Sequence, residues 1–251
     1  MANEIFYDCR WTSQVDDKFI EDFIKVSDSV FKNNFSREFF DKKYTNNIYG
    51  ESVVVVVYID GVPSAARALW RNDVDGKEAY QPGGTCVLEA CRGKGVFTEM
   101  TKRSTALLPK DALIYNFPND NSFPGYIKMG WRLIREYGFS IFTKKRFFKE
   151  HPTKMDEAYA KWWLPSTKGL LYFKRGKDYF IVKKMSTPFC FRLVACVDEH
   201  IAKQFPKKSP GVVFYMSEEK HFYNVNRGAP IRVVTKAEDV NYIPAWKIDS
   251  L

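Results

Sequence analysis

The segment Arg92-Gly-Lys-Gly95 places two glycines and two cations between an apolar stretch, Cys86 to Cys91, and an amphipathic one that begins at Val96. Glycine lets a backbone turn tightly and approach a ligand without a Cβ in the way. A helix starting at Val96 would offer unpaired N–H groups and the positive end of its dipole to an anion, with phosphate the natural guest. Taken alone, the turn supports an anion site, and a purely structural turn is its default reading. It is not a P-loop, because no Gly-Lys-Ser/Thr follows at the required spacing. It is not a dinucleotide fingerprint either, since the third glycine and the later ribose-binding acid are missing.

A second constellation follows in Tyr115-Asn-Phe-Pro-Asn119 and Tyr126-Ile-Lys-Met-Gly130-Trp131. With both in view, the chain resembles the GNAT superfamily of acyl-CoA-dependent N-acyltransferases. That family's first motif is Gln/Arg-x-x-Gly-x-Gly/Ala between a strand and a helix, matched here by Gly93, Lys94 and Gly95. Its second is a strand, an Asn, a Tyr seven residues on, and a Gly-aromatic pair four residues later, matched by Asn119, Tyr126, Gly130 and Trp131. The resemblance spans roughly residues 35 to 135. One departure stands out: the first position of the first motif falls on Ala90, with Arg92 nearby as a substitute cation.

The resemblance implies a donor, acetyl-CoA or another acyl-CoA, and a place for it. The edge of a strand over 85–89, with Val87 and Leu88, would hydrogen-bond the pantetheine arm. The N–H groups of Arg92, Gly93, Lys94, Gly95, Val96 and Phe97 would cradle the pyrophosphate. Asn119 would orient the pantetheine or adenylate end, and Tyr126 would lie near the sulfur. Attack of a neutral amine on a thioester needs a base for the amine proton, donors for the oxyanion, and an acid for the departing thiolate. A phenol is protonated at neutral pH and suits the acid, so Tyr126 takes that role. Glu89, at the end of the central strand, is the candidate base, although an exposed strand-end acid is an equal reading; Glu78 and Asp75 are weaker candidates. His151, His200 and His221 read as surface or structural, and Cys91 as a small packing residue.

The elements that must hold these groups follow from periodicity and punctuation. Helices are expected over 16–30, capped by Asp16 or Asp17, and from Ser36. Val53 to Ile59 is a strand, Asp60-Gly61 a hairpin turn, and Pro63 to Trp70 the return strand. Tyr80 to Gly84 reads as loop and Thr85 to Glu89 as a strand. A helix should run to about Leu108, stopped by Pro109, followed by a strand over 112–117 and a short helix over 122–129. Arg132 to Phe142 reads as one or two strands broken near Gly138. The fold class is α/β (α+β): a mixed, mostly antiparallel twisted sheet flanked by helices, GNAT-like, with a β-rich C-terminal subdomain. The expected division is a GNAT-like acyl-CoA-binding domain over 1–150 and a second part over 151–251, with the polar segment Lys144 to Thr153 as the boundary. In that second part, hairpin strands flank Arg175-Gly176, and further strands fall over 191–197, 212–216 and 231–234. Trp162-Trp163, Pro165 and the Tyr172 hairpin resemble the partial second copy of the fold in larger GNAT-like proteins.

The bulk numbers bound the partners. The chain has 251 residues, 45% hydrophobic, with a formal net charge of +9. The charge suits a polyanionic ligand, but the lysines are spread along the chain and the Lys144-Lys145-Arg146 cluster lacks an RNA-binding aromatic pattern, which argues against nucleic acid. Five cysteines at scattered spacings, without a CxxC pair, argue against a zinc site or a disulfide framework and for a reduced, cytoplasmic setting. The longest apolar run is too short to span a bilayer, and no signal-peptide pattern is visible. The leading expectation is transfer of an acetyl group to a primary amine of a small molecule, such as an amino sugar or amino acid, without a metal. The alternatives are an aminoacyl-tRNA-dependent transferase of the peptidoglycan type and a catalytically inactive acyl-CoA-binding module. A strand edge in the tail leaves room for a homodimer.

Overall fold

The computed structural model describes residues 4–32, 35–218 and 230–248. These fall into two compact units, one drawn from 1–116, 121–132 and 234–239, the other from 117–120, 133–233 and 240–251. The first unit contains β1 (Ile5–Trp11), α1 (Asp17–Phe31), α2 (Arg37–Phe40), β2 (Val53–Ile59), β3 (Val62–Arg71), β4 (Ala79–Val87), α3 (Val96–Ala106), β5 (Leu113–Asn116) and α4 (Phe123–Lys128). Its strands lie in the order β1-β2-β3-β4-β5. The first four pair antiparallel in succession, and β4 pairs parallel with β5.

Local chemistry accounts for most of these elements. The Asp16 carboxylate accepts from Phe19 N at 2.8 Å and caps α1, whose buried face carries Phe19, Ile20, Phe23 and Val26. Ser36 caps α2 in the same way. Asp60 and Gly61 both take positive φ (51° and 77°), the geometry of a two-residue hairpin turn between β2 and β3. Val53 to Val57 are all 0% exposed, and since successive strand residues point to opposite faces, both faces of β2 are covered.

The second unit holds β6 (Arg132–Ile141), α5 (Lys144–Glu150), α6 (Glu157–Trp163), β7 (Leu170–Arg175), β8 (Asp178–Lys184), β9 (Cys190–Val197), α7 (Glu199–Ala202), β10 (Val212–Ser217) and β11 (Ile231–Thr235). Its strands run β6-β10-β9-β8-β7. All of these pairings are antiparallel except β10 with β9. Phe142, Phe147, Phe173, Phe180 and Tyr215 centre its core. The last two residues of β11, Val234 and Thr235, belong to the first unit and pair there with β5.

The fold class is as expected: mixed α and β, with a large, mostly antiparallel sheet flanked by helices. Four details differ. The expected loop over 80–84 and strand over 85–89 are one strand, β4, which stops at Val87. Pro82, Gly83 and Gly84 read as breakers, yet Pro82 and Gly83 pair with Leu69 and Ala68, and the β3 ladder shifts register directly after Gly83. Gly84 is required there, because its φ is +57° and a Cβ would stand 2.9 Å from the Tyr44 hydroxyl. Glu89 therefore does not end a strand; it lies exposed in a single 3-10 turn, Glu89–Cys91. The polar segment proposed as a boundary is helix α5, which buries Phe147 and lies inside the second unit. Finally, β1 is an additional strand: with Asp8 and Arg10 in it the segment lacks a clean alternation, and its identity comes from seven register pairs with β2.

Candidate active site

The first unit carries the site from β4 through the glycine turn into α3. Gly93 and Gly95 have φ of 76° and 75°, values that favour glycine, and a Cβ on either would meet nothing within 4 Å. Backbone conformation, with open space in front of it, is thus what these positions demand. Gly95 precedes α3 without any side-chain cap. The first amide of the helix to bond back is Glu99 N, to Gly95 O at 3.1 Å, which leaves the first-turn N–H groups of Val96, Phe97 and Thr98 for an outside acceptor. Arg92 and Lys94 are exposed beside them, and Arg92 Nε donates to Val87 O at 3.3 Å. Val96 and Cys91 pack into an apolar cluster against β2, with Val87 and Leu88 at its margin.

The parallel ladder between β4 and β5 covers only Ala79 with Leu113 and Tyr80 with Ile114. Beyond it β4 continues to Val87 with β3 on one side, while β5 turns to Val234 and Thr235. The strands therefore part after Tyr80, and from there to Val87 the backbone of β4 pairs, among the described residues, on the β3 side alone.

Tyr126, on α4, is 1% exposed. Its oxygen accepts from Asn116 Nδ2 at 2.8 Å, at the end of β5, and from Arg67 Nη2, reaching across from β3. Arg67 Nη1 donates to Thr101 Oγ1 on α3, and Thr101 in turn donates to Phe97 O at 2.6 Å. The Phe97 ring stands edge-on to Tyr126 at 5.5 Å, and the Trp131 ring does so at 4.6 Å. Burial pushes the Tyr126 phenol above its ordinary value, and the Arg67 charge and the Asn116 amide oppose that rise. Burial also lowers the Arg67 guanidinium, which is 0% exposed and whose Nε has no partner.

The turn residues Arg92, Gly93, Lys94, Gly95, Val96 and Phe97 are thus contiguous with the start of α3, and Phe97 reaches Tyr126. Asn119 lies exposed on the loop after β5, in the segment 117–120 that groups with the second unit. A different amide, that of Asn116, holds the Tyr126 oxygen. Arg67, Asn116 and Thr101 were not among the expected residues. Only Arg67 leaves a mark in sequence, as a lone cation inside the apolar run Ala65-Ala-Arg-Ala-Leu-Trp70. Elsewhere, His151 is buried in the second unit with Nε2 2.6 Å from Met216 O, and His200 is exposed beside Glu157. His221 lies outside the described residues. Among the described residues no group of three or more His, Cys, Asp or Glu could hold a metal ion, and no helix is long and apolar enough to cross a membrane.

Neither a scan against family models nor a search of curated proteins finds a match. Solved structures do match over nearly the whole chain. One is a conserved protein of Enterococcus faecalis V583 named as a probable N-acyltransferase: TM-score 0.56 at 14% identity, over 92% of this chain and 72% of that one. Another is a GCN5-related N-acetyltransferase of Anabaena variabilis, at TM-score 0.53 and 11% identity, over 91% of this chain and 72% of that one. These likenesses, over 92% and 91% of this chain at 14% and 11% identity, show that the chain has the GNAT fold.

Proposed function

We propose that the protein is an acyl-CoA-dependent N-acyltransferase that moves an acetyl group from acetyl-CoA to a primary amine of a small molecule. The observation that carries this reading is the uncapped start of α3, where Gly93 and Gly95 hold positive φ with open space before them. That geometry suits a pyrophosphate bound through backbone N–H groups, which also explains why Ala90 at the first motif position is tolerable. The free edge of β4 up to Val87 and Leu88 suits the pantetheine arm. Phe97 stands so close to Gly125 that a Cβ there would lie 2.8 Å from the ring, and such tight packing favours a short acyl group.

Tyr126 is the acid for the departing thiolate in this reading. Glu89, exposed and on the turn before the cradle, is the candidate base, and Asn119 a candidate contact to the cofactor's outer part. The second unit is the candidate acceptor-binding part. A second reading, a module that binds acyl-CoA without turning it over, is favoured by the 1% exposure of Tyr126. Thermal-shift titration with acetyl-CoA, alongside thiol release across a panel of amines, separates the two. Stabilisation that is lost in Gly93→Asp, together with thiol release, is expected for the enzyme, and stabilisation without release supports the module. No stabilisation at millimolar acetyl-CoA, with Gly93→Asp behaving like the parent, sinks both.

A further inference from the structure

Arg67 is a fully buried guanidinium on a central strand, and nothing in the reading above uses it. Its partners are the Thr101 hydroxyl and the Tyr126 hydroxyl, both neutral, and the Phe97 ring, 5.1 Å from the guanidinium carbon. The groups packed on Tyr126 are Arg67 from β3, Asn116 from β5, Phe97 from α3 and Trp131 after α4. Tyr80, in the same cluster, ties its own hydroxyl to Glu78 at 2.7 Å. No carboxylate among the described residues contributes to the charge balance of either Arg67 or Tyr126. A buried cation without a counter-ion is costly, and a well-packed apolar residue in its place is often neutral or stabilising. Packing alone therefore gives no reason for an arginine.

The hydrogen bonds suggest one. A phenol oxygen accepts up to two hydrogen bonds and donates one. Asn116 and Arg67 both donate to the Tyr126 oxygen, so among the described residues both hydrogen bonds at this oxygen are accepted ones. We infer that Arg67 is a positioning residue for Tyr126: with Asn116 it fills the oxygen's acceptor sites, aims the proton at the departing group, and supplies the positive charge that the tyrosinate then faces. The inference rests on the acyltransferase reading. In that step the amine nitrogen bonds to the thioester carbonyl carbon and the C–S bond of the tetrahedral intermediate breaks. The thiolate takes the phenolic proton as the free thiol, Glu89 as the candidate base takes the proton of the ammonium formed by the attack, and proton exchange with solvent returns both groups to their starting states. Protons and electrons balance without another reactant. A phenol in an apolar site is a poor acid for a thiolate, and a cation beside it restores the match.

The test uses Arg67→Met, which removes the charge at similar volume, and Arg67→Lys, which keeps it. A fluorotyrosine of lower intrinsic pKa is placed at position 126 and its ionisation followed spectroscopically. The expected result is a rise of about one pH unit or more in Arg67→Met and much less in Arg67→Lys. In the amine panel, kcat should fall at least about tenfold in Arg67→Met, with KM for acetyl-CoA within about twofold and partial rescue by Lys. The thermal midpoint of Arg67→Met should equal or exceed the parent's. Unchanged ionisation at 126, or a midpoint lowered as by loss of a structural contact, overturns the inference. The spectroscopic readout needs no turnover, so it fails or succeeds separately from the acyltransferase reading.

Discussion

Replacing Gly95 by alanine separates a ligand cradle from a structural turn. Gly95 has φ of 75°, and its added Cβ would meet no atom within 4 Å. The only folding cost is thus conformational: about 1 to 2 kcal/mol for a non-glycine residue held in the left-handed region. In a protein of this size that corresponds to a fall of roughly 2–4 °C in the thermal midpoint for each kcal/mol. The new methyl group would project into open space at the start of α3, next to the place proposed for the pyrophosphate. Displacing one hydrogen bond to a charged group costs about 1.5–3 kcal/mol, or roughly a tenfold to hundredfold loss of affinity. Calorimetric titration with CoA and a thermal melt of the ligand-free variant measure the two effects. A melt lowered as calculated, with CoA affinity unchanged, would refute the cradle. A far larger loss of stability would instead mean that the turn serves the core.

Gly84→Ala should behave in the opposite way. Its Cβ would stand 2.9 Å from the hydroxyl of the fully buried Tyr44, at a φ of +57°, so a loss of at least about 2 kcal/mol in urea unfolding is expected. In the second unit, burial holds the His151 imidazole below its ordinary value of 6.5, while the unfolded chain titrates near that value. The unfolded state then binds more protons just below pH 6.5, so stability is full above that pH and falls as pH drops toward the native value. Thermal melts from pH 7 to 5 should show this decline, and His151→Gln should flatten it; an equal decline in both would assign it to other groups.

Whatever depended on local backbone chemistry was legible in the chain. A cap at Asp16 or Asp17, of which the structure uses Asp16, a helix start at Ser36, Asp60-Gly61 as a hairpin turn, Val53 to Val57 as a strand, and Gly93 and Gly95 as a turn opening a helix each need only neighbours in sequence. Those signals, with the spacing from Asn119 to Trp131, point to the fold that the structural likeness over 92% and 91% of this chain supports. Helix α5 was missed because its buried face rests mainly on Phe147, and one residue is too few to show a period. The strand β4 was cut short because its Pro82 and glycines are turn signals unless a neighbouring bulge accommodates them.

The surroundings of Tyr126 were decided by tertiary structure alone. The tyrosine stood out in its motif, but its partners come from 59 and 10 residues away, on β3 and β5. No local pattern announces that a lone arginine in an apolar strand will be sealed from water or that its charge will face a phenol. The distinction is physical: caps and turns are settled by bonds between neighbours, whereas burial of a charge and the acidity of a phenol depend on everything the folded sheet and helices bring around them.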